Sequence, residues 1–502
     1  MTWPGSIGYD LGKARKFRDV EERGRRDVAA STVNEGRPPA GLLRNALSGA
    51  DVVATSLAQI APTFSLLFAS AGIVAVAGLG SPLVVLLAGI AFFFHVNSTA
   101  QFSRVLPSAG SYVTYLGRTF GKGAAAAAAA VALVGYLVTD ASVVLIPGYW
   151  TAFVLHALWG LTVAWWIPFV LFNAGVYALM FLGVKLSTRW AIWLFVFEMF
   201  VLAIALAVIV LSDPGAVNLL PFSPAEVLHG WGGVATGFPL AIYMFTGASN
   251  SAPMAEETVA PRRNVPRAVF RSVIFAIVIY VVMVWATLIG FRGNAAALSA
   301  ATLPLVTAVQ HRFIPAVWLL YLGGLTSTLS ALIVAQNAHT RIYFSAARDG
   351  LIPKMLSAVG RFRTPVRAIG LAIVVEVLLT LVWGLASGPL NAFDYLGTLG
   401  TIIITILFIA VNVALPVYYW GHHRDRFSYW LHAAWPILGI AALGFPLVLD
   451  FAPGQPVPYN VFPYVAVAVA IAGTIYGFAR ASRHPEIGSG TYLADDGAVA
   501  TD

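Results

Sequence analysis

Two stretches, Ser56-Leu-Ala-Gln-Ile-Ala-Pro-Thr-Phe-Ser65 and Tyr243-Met-Phe-Thr-Gly-Ala-Ser-Asn-Ser-Ala-Pro253, interrupt apolar runs that are otherwise long enough to cross a bilayer. Inside a membrane every backbone polar group needs a partner, so irregular backbone persists only where protein or a cavity surrounds it. Pro62 removes a helical hydrogen bond, and proline is best accommodated in the first turn of a helix. The pattern therefore predicts a half-helix starting near Pro62, with the N–H groups of Thr63, Phe64 and Ser65 unpaired. Such a terminus attracts a carboxylate. In the second stretch Thr246, Gly247, Ser249, Asn250 and Ser251 stand where a plain span carries Leu and Val. The breaks lie roughly 190 residues apart, in the first and sixth apolar runs, as two inverted repeats of five helices require. One kink is an ordinary packing feature of membrane helices; two polar breaks at matching places in the halves point to a binding site.

The composition sets the solvent. Of 502 residues 59% are hydrophobic and only 10% charged, against about 25% charged in a soluble domain. So few charges cannot cover a globule of this size, and lipid must do so. A helical span needs about 20 apolar residues. Twelve are expected, near 46–78, 81–104, 123–147, 165–184, 188–212, 229–252, 267–290, 313–340, 365–386, 392–419, 429–450 and 459–480. The expected fold class is an all-α membrane protein with broken helices 1 and 6. Repeat one covers about 46–212, repeat two about 229–419, and two peripheral helices follow at 429–480. Polar tails at 1–45 and 481–502 flank this 46–480 twelve-helix membrane domain.

Positive residues mark the cytoplasmic side of short membrane loops. With twelve spans, all of the 30 Lys and Arg except Arg292 and Arg312 fall on one face, together with both tails. A miscounted span would scramble this alternation. Both termini are accordingly expected in the cytoplasm and the chain in the cell membrane. The net charge of +8 reflects this bias, with some attraction to anionic inner-leaflet lipid, and does not indicate nucleic acid. The polar N-terminal 45 residues do not read as a signal peptide. With no Cys there are no disulfides, thiolate ligands or thiol nucleophiles.

Three stretches resemble a known family. Phe245-Thr-Gly-Ala-Ser249 followed by Ala255-Glu-Glu-Thr-Val-Ala-Pro-Arg-Arg-Asn-Val-Pro-Arg-Ala268 resembles the end of span 6 in amino acid permeases of the amino acid–polyamine–organocation (APC) transporter family. Phe102-Ser-Arg-Val-Leu-Pro-Ser-Ala-Gly-Ser-Tyr-Val-Thr-Tyr115 is similar to its span 2–3 loop. Ala347-Arg-Asp-Gly-Leu-Ile-Pro353 with Arg363-Thr-Pro365 is similar to its span 8–9 loop. The resemblance covers about 40–480. It implies alternating access around a site between spans 1, 3, 6, 8 and 10. It also implies a substrate carboxylate on span 1 amides and an amino group on carbonyls of both breaks. Carried over, these are Ile60, Ala61, Pro62, Thr63, Phe64 and Ser65, then Phe245, Thr246, Gly247, Ala248 and Ser249. Tyr243 falls at the family's aromatic gate position. Many members carry a Gly-Ser-Gly-type turn in span 1, whereas this chain has Ile60-Ala-Pro-Thr63, and Pro62 has no N–H to donate.

An ionisable residue inside a span is costly and is a functional candidate by default. Glu198 in span 5 matches an embedded lysine of some proton-coupled relatives that occupies the place of a sodium ion. Gly323-Gly-Leu-Thr-Ser-Thr328 resembles the span 8 run that supplies hydroxyls beside that place in sodium-dependent transporters. Glu198 with Thr326 and Ser327 could thus bind Na⁺ or carry a proton; proton coupling is the favoured expectation because most bacterial-type relatives are sodium-independent. Asp140 in span 3 lies near where family members contact the substrate side chain, and could meet a cationic group or serve as a helix–helix hydrogen bond. Glu376 on a peripheral helix reads as packing. His95, Asn97, Gln101, Asn337 and His339 read as packing or gate residues, since no His pair has metal-ligand spacing with a carboxylate partner. The run Ala124–Ala130 reads as a close helix contact.

The expected function is secondary transport of an amino acid or related amine, coupled to H⁺ or Na⁺ or by exchange, with no cofactor and no metal. An inorganic cation such as potassium moved on the same fold is the alternative. Enzyme chemistry is disfavoured because Asp140, Glu198 and Glu376 sit on three separate spans, and a channel because no filter motif repeats.

Overall fold

The apolar runs fold as helices in the computed structural model, which describes residues 41–484 except 311 and 454, together with residue 487. The expected tails, 1–45 and 481–502, therefore lie mostly outside the described residues. Among the described residues there is no strand, only a parallel bridge between Leu47 and Thr258. Nine helical stretches among them are long and apolar enough to cross a membrane. Many of their large apolar side chains point outward, including Trp193, Leu211 and Ile475, as a lipid-facing surface requires.

In chain order the first helices are α1 (Gly49–Gln59), α2 (Pro62–Ala77), α3 (Ser81–Val105), α4 (Tyr112–Phe120), α5 (Lys122–Trp159), α6 (Trp166–Phe181) and α7 (Val184–Ser212). They continue with α8 (Trp231–Phe245), α9 (Pro261–Gly290), the short α10 (Ala295–Ala300) and α11 (Pro304–Gln310), and α12 (Ile314–Arg348). The last are α13 (Val366–Ser387), α14 (Pro389–His422), α15 (Trp435–Leu449) and α16 (Phe462–Arg483). α3 packs along α9, α5 along α14 and α16, and α7 along α12.

Several helices run past the expected ends. α5 continues through Pro147 to Trp159, with the Thr151 hydroxyl donating to the Pro147 carbonyl at 2.7 Å. α12 extends to Arg348 because its last turns are buried and hydrogen-bonded rather than facing water. α8 is shorter than its apolar run: it stops at Phe245, turns follow, and a 3-10 turn spans Ala252–Glu257. The alanine run at the start of α5 does form a close contact. A Cβ on Gly477 of α16 would collide with the Ala127 nitrogen and lie 2.6 Å from the Gly123 carbonyl, so the two backbones nearly touch.

Candidate functional site

Ser48 caps α1: its hydroxyl accepts from the Asp51 N–H at 3.2 Å, and the Asp51 carboxylate accepts from the Ser48 N–H at 2.8 Å. The chain then leaves helical geometry at Ile60–Ala61, where Ala61 takes a left-handed φ of 45°, unusual for a residue with a side chain. α2 restarts at Pro62. Its first amides are not free, contrary to expectation. Thr63 N–H donates to Glu198 Oε1 at 2.8 Å, Phe64 N–H to Ser327 Oγ at 3.2 Å, and Ser65 N–H to the Ala61 carbonyl at 2.9 Å. A buried helix N-terminus carries partial positive charge that lipid cannot satisfy, and here the chain's own carboxylate answers it. Ser327 Oγ also donates to Glu198 Oε1 at 2.9 Å. Thr326 was expected beside it, but its hydroxyl donates to Gly323 O of its own helix at 3.1 Å; helical spacing lets only one of two adjacent residues face α7. Among the described residues Glu198 Oε2 has no hydrogen-bond partner.

The second break faces the first. Gly247 holds φ at 104°, and a Cβ there would run into the Gln59 side chain, so the interruptions touch where glycine is required. Tyr280 hydroxyl, from α9, donates to the Ile60 carbonyl at 2.7 Å. Asn250 Nδ2 lies 3.0 Å from His339 Nε2, and His339 Nδ1 lies 2.7 Å from Asp140 Oδ2. With the amide donating, Nε2 accepts and Nδ1 carries the proton toward Asp140. The His339 ring stacks on Tyr136 at 3.8 Å. Spans 3, 6 and 8 thus meet in one polar chain.

A cavity of about 630 Å³ lies over these breaks. Of the expected substrate residues, Ile60, Ala61, Phe64, Ser65, Asp140, Tyr243, Thr246 and Gly247 line it. Pro62, Thr63, Phe245, Ala248 and Ser249 do not. Thr63 faces Glu198, Phe245 packs on Phe92 and Tyr280, and Ser249 Oγ bonds the Tyr112 hydroxyl at 2.7 Å. Three carboxylates line the cavity, and two of them, Asp394 and Asp450, were not expected. Each stands near the end of an apolar run, where an acid resembles an ordinary loop residue. His339 was expected only as packing or gate; its place beside Asp140 depends on two helices distant in sequence. Glu376, expected as packing, is buried and accepts from the Tyr177 hydroxyl at 3.0 Å and from Gln336.

The opposite end of the break is sealed. Arg341 is 1% exposed and Glu257 fully buried, and the guanidinium forks onto that carboxylate while also donating to the Asn337 carbonyl at 2.5 Å. Arg348 makes a two-pronged pair with Glu256 at 2.8 and 2.9 Å, and Glu256 also accepts from Ala109 N–H at 3.0 Å. The Ala46 and Leu47 amides donate to the Glu257 carbonyl at 2.7 and 2.9 Å. The segments before α1, after α3 and after α8 are thereby tied to α12.

Two facing helix breaks under a solute-sized cavity, closed at one end by one buried and one part-buried ion pair, define a secondary transporter. The chain belongs to the amino acid permease family, whose sequence model matches residues 51–484. It is 26% identical over 416 residues to the branched-chain amino acid permease BcaP of Bacillus subtilis (strain 168), covering 78% of this chain and 83% of that one. It is 28% identical over 207 residues to an uncharacterized transporter of Mycobacterium tuberculosis (strain ATCC 25618 / H37Rv), covering 40% of each. Among solved structures it is similar to MHP1, a nucleobase-cation-symport-1 family transporter in a closed conformation with bromovinylhydantoin bound. The TM-score is 0.52 at 16% identity, over 90% of this chain and 97% of that one, a likeness of fold alone.

Proposed function

We propose that the protein carries an amino acid or related amine across the cell membrane by alternating access, with twelve crossings and both termini in the cytoplasm. The observation that carries this reading is the cavity over two touching breaks, open away from a sealed ion-paired end. Substrate rests against Ile60, Ala61, Phe64, Ser65, Thr246 and Gly247, with Asp140 and Tyr243 in the walls. The identity to a branched-chain amino acid permease supports an organic, amine-bearing solute.

Transport is coupled to a cation, a proton rather than sodium, or proceeds by exchange. Glu198 is the coupling residue in this reading: it joins α7 to the start of α2 and, through Ser327, to α12. A proton arriving on the partnerless Oε2 would cancel the charge that the α2 terminus and Ser327 hold, loosening the contact between the halves. The test is uptake of labelled amino acids and amines into proteoliposomes, with pH and Na⁺ gradients imposed separately. Accumulation driven by pH alone supports the reading, accumulation only with Na⁺ replaces the ion, and no uptake of any such solute removes the function.

A further inference from the structure

We propose that Glu376 holds a proton behind the cavity wall and exchanges it with Asp140, an inference that rests on the transporter reading and adds a second proton site to it. Glu376 is buried on α13 and does not line the cavity, so a proton can reach it where a solute cannot. Its Oε2 accepts from the Tyr177 hydroxyl of α6 and from Gln336 of α12. One turn further along α13, the Thr380 hydroxyl donates to the Ala141 carbonyl at 2.6 Å. That bond seats Glu376 against the part of α5 that carries Asp140.

The titratable groups around Glu376 are an acid and phenols. The Asp140 charge of α5 repels one on Glu376, and Tyr177 of α6 and Tyr343 of α12 feel both carboxylates. α14 and the turn at Lys354–Ser357 also pack on α13, but among the described residues they add no charge that acts on Glu376. The base nearby, His339, sits on Asp140 Oδ2. Two buried carboxylates with no cation to balance them do not both stay ionised. One proton shared between them removes the second charge.

A separate observation marks the route. Asp140 Oδ1, Gln336 Oε1, Glu376 Oε1 and the hydroxyls of Tyr136 and Tyr343 are buried and, among the described residues, have no hydrogen-bond partner. Buried polar atoms are rarely left so. Five of them around two acids make a polar path along which hydroxyls and internal water relay a proton. The proton leaves Glu376 Oε1 and arrives on Asp140 Oδ1, and Glu376 takes up the negative charge that Asp140 loses. Asp140 and Tyr136 line the cavity, so the path ends where the solute rests. An amino group of the solute on Asp140 keeps that acid ionised and the proton on Glu376, so the two travel together. Once the solute leaves, the proton moves to Asp140 and out through the cavity.

The experiment is infrared spectroscopy of the full-length protein in lipid at neutral pH, read at the C=O stretch of protonated carboxyl groups. The expected wild-type band disappears in Glu376→Gln and shifts in Asp140→Asn. A band unchanged by Glu376→Gln overturns the proposal, and one unmoved by Asp140→Asn overturns the exchange with the cavity. If either variant fails to fold, Tyr343→Phe, which removes a hydroxyl on which no hydrogen bond depends, should shift the same band; an unmoved band there overturns the path. Uptake in proteoliposomes follows, with labelled leucine, lysine and putrescine as probes. Under a gradient of about one pH unit, the ratio of driven accumulation to exchange should fall about tenfold in Glu376→Gln, the worth of one proton. An unchanged ratio overturns the coupling role. No uptake of any of the three probes by wild type, with the band present, counts against the transporter reading and leaves the proton site standing.

Discussion

Replacing Glu257 by Gln should open the sealed end. In this conformation Arg341 is 1% exposed and, among the described residues, Glu257 is the one carboxylate paired with its guanidinium, its other contacts being the carbonyl and side chain of Asn337. Removing one partner of a buried pair leaves an uncompensated charge and costs about 3–5 kcal/mol. Gln keeps the volume and one acceptor, so the lower end, about 3 kcal/mol, is expected. When this end is open, both groups face water and the loss costs at most about 1 kcal/mol. The closed state therefore loses about 2–3 kcal/mol relative to the open one, a shift of roughly 30- to 150-fold. The chain has no Cys, so Ala255→Cys, at a position 1% exposed just before the pair, is a sole thiol. Its labelling by a polar maleimide samples the open population. Labelling should accelerate by that factor in Glu257→Gln, and adding Arg341→Met, which removes the stranded charge, should reverse most of it. An unchanged labelling rate in folded Glu257→Gln would refute the latch.

Gly247→Leu should abolish uptake with normal membrane expression, because φ of 104° and the Gln59 contact leave no room for a side chain; wild-type uptake would remove the break from the site. Glu198→Gln should lose gradient-driven accumulation but keep exchange of labelled substrate, as measured in proteoliposomes, since Gln still accepts from Thr63 and Ser327. Retained pH-driven accumulation would take Glu198 out of the coupling role. At the loop after α12, burial pushes the Asp349 carboxyl up to about 6 against the pull of Arg348. The folded state thus holds this proton more tightly than the unfolded chain. Its contribution to stability is fully present below about pH 4 and is lost as pH rises to about 6, by up to about 3 kcal/mol. Asp349→Asn should raise the melting temperature at pH 8 and change it little at pH 4.5; an equal gain at both values would show that burial of the charge is not the cause.

Much of the site's frame was legible because its signals are local. Pro62 and Gly247 act on their own backbone, so both breaks could be located from the chain alone, and the Ala124–Ala130 run foretold a close helix contact by side-chain size. The partner of the α2 amides could not be read this way. Glu198 was visible as a buried charge, but whether its carboxylate would face substrate, an ion or a helix end depends on how α7 rotates against α2 and α12.

Composition alone determined that lipid is this protein's solvent, and the spacing of apolar runs and positive loops determined the order of helices. These follow from the cost of exposing peptide groups and charges to hydrocarbon, which each segment meets by itself. Only the tertiary structure decided which groups share the cavity. Asp140 and His339 come from two helices and Asn250 from the turns after α8, Asp394 and Asp450 stand near the ends of two more helices, and Glu257 meets Arg341 across 84 residues of chain. Their pairings are set by helix rotation and packing, which distribute the same polar residues between a cavity wall, a helix cap and a sealed end.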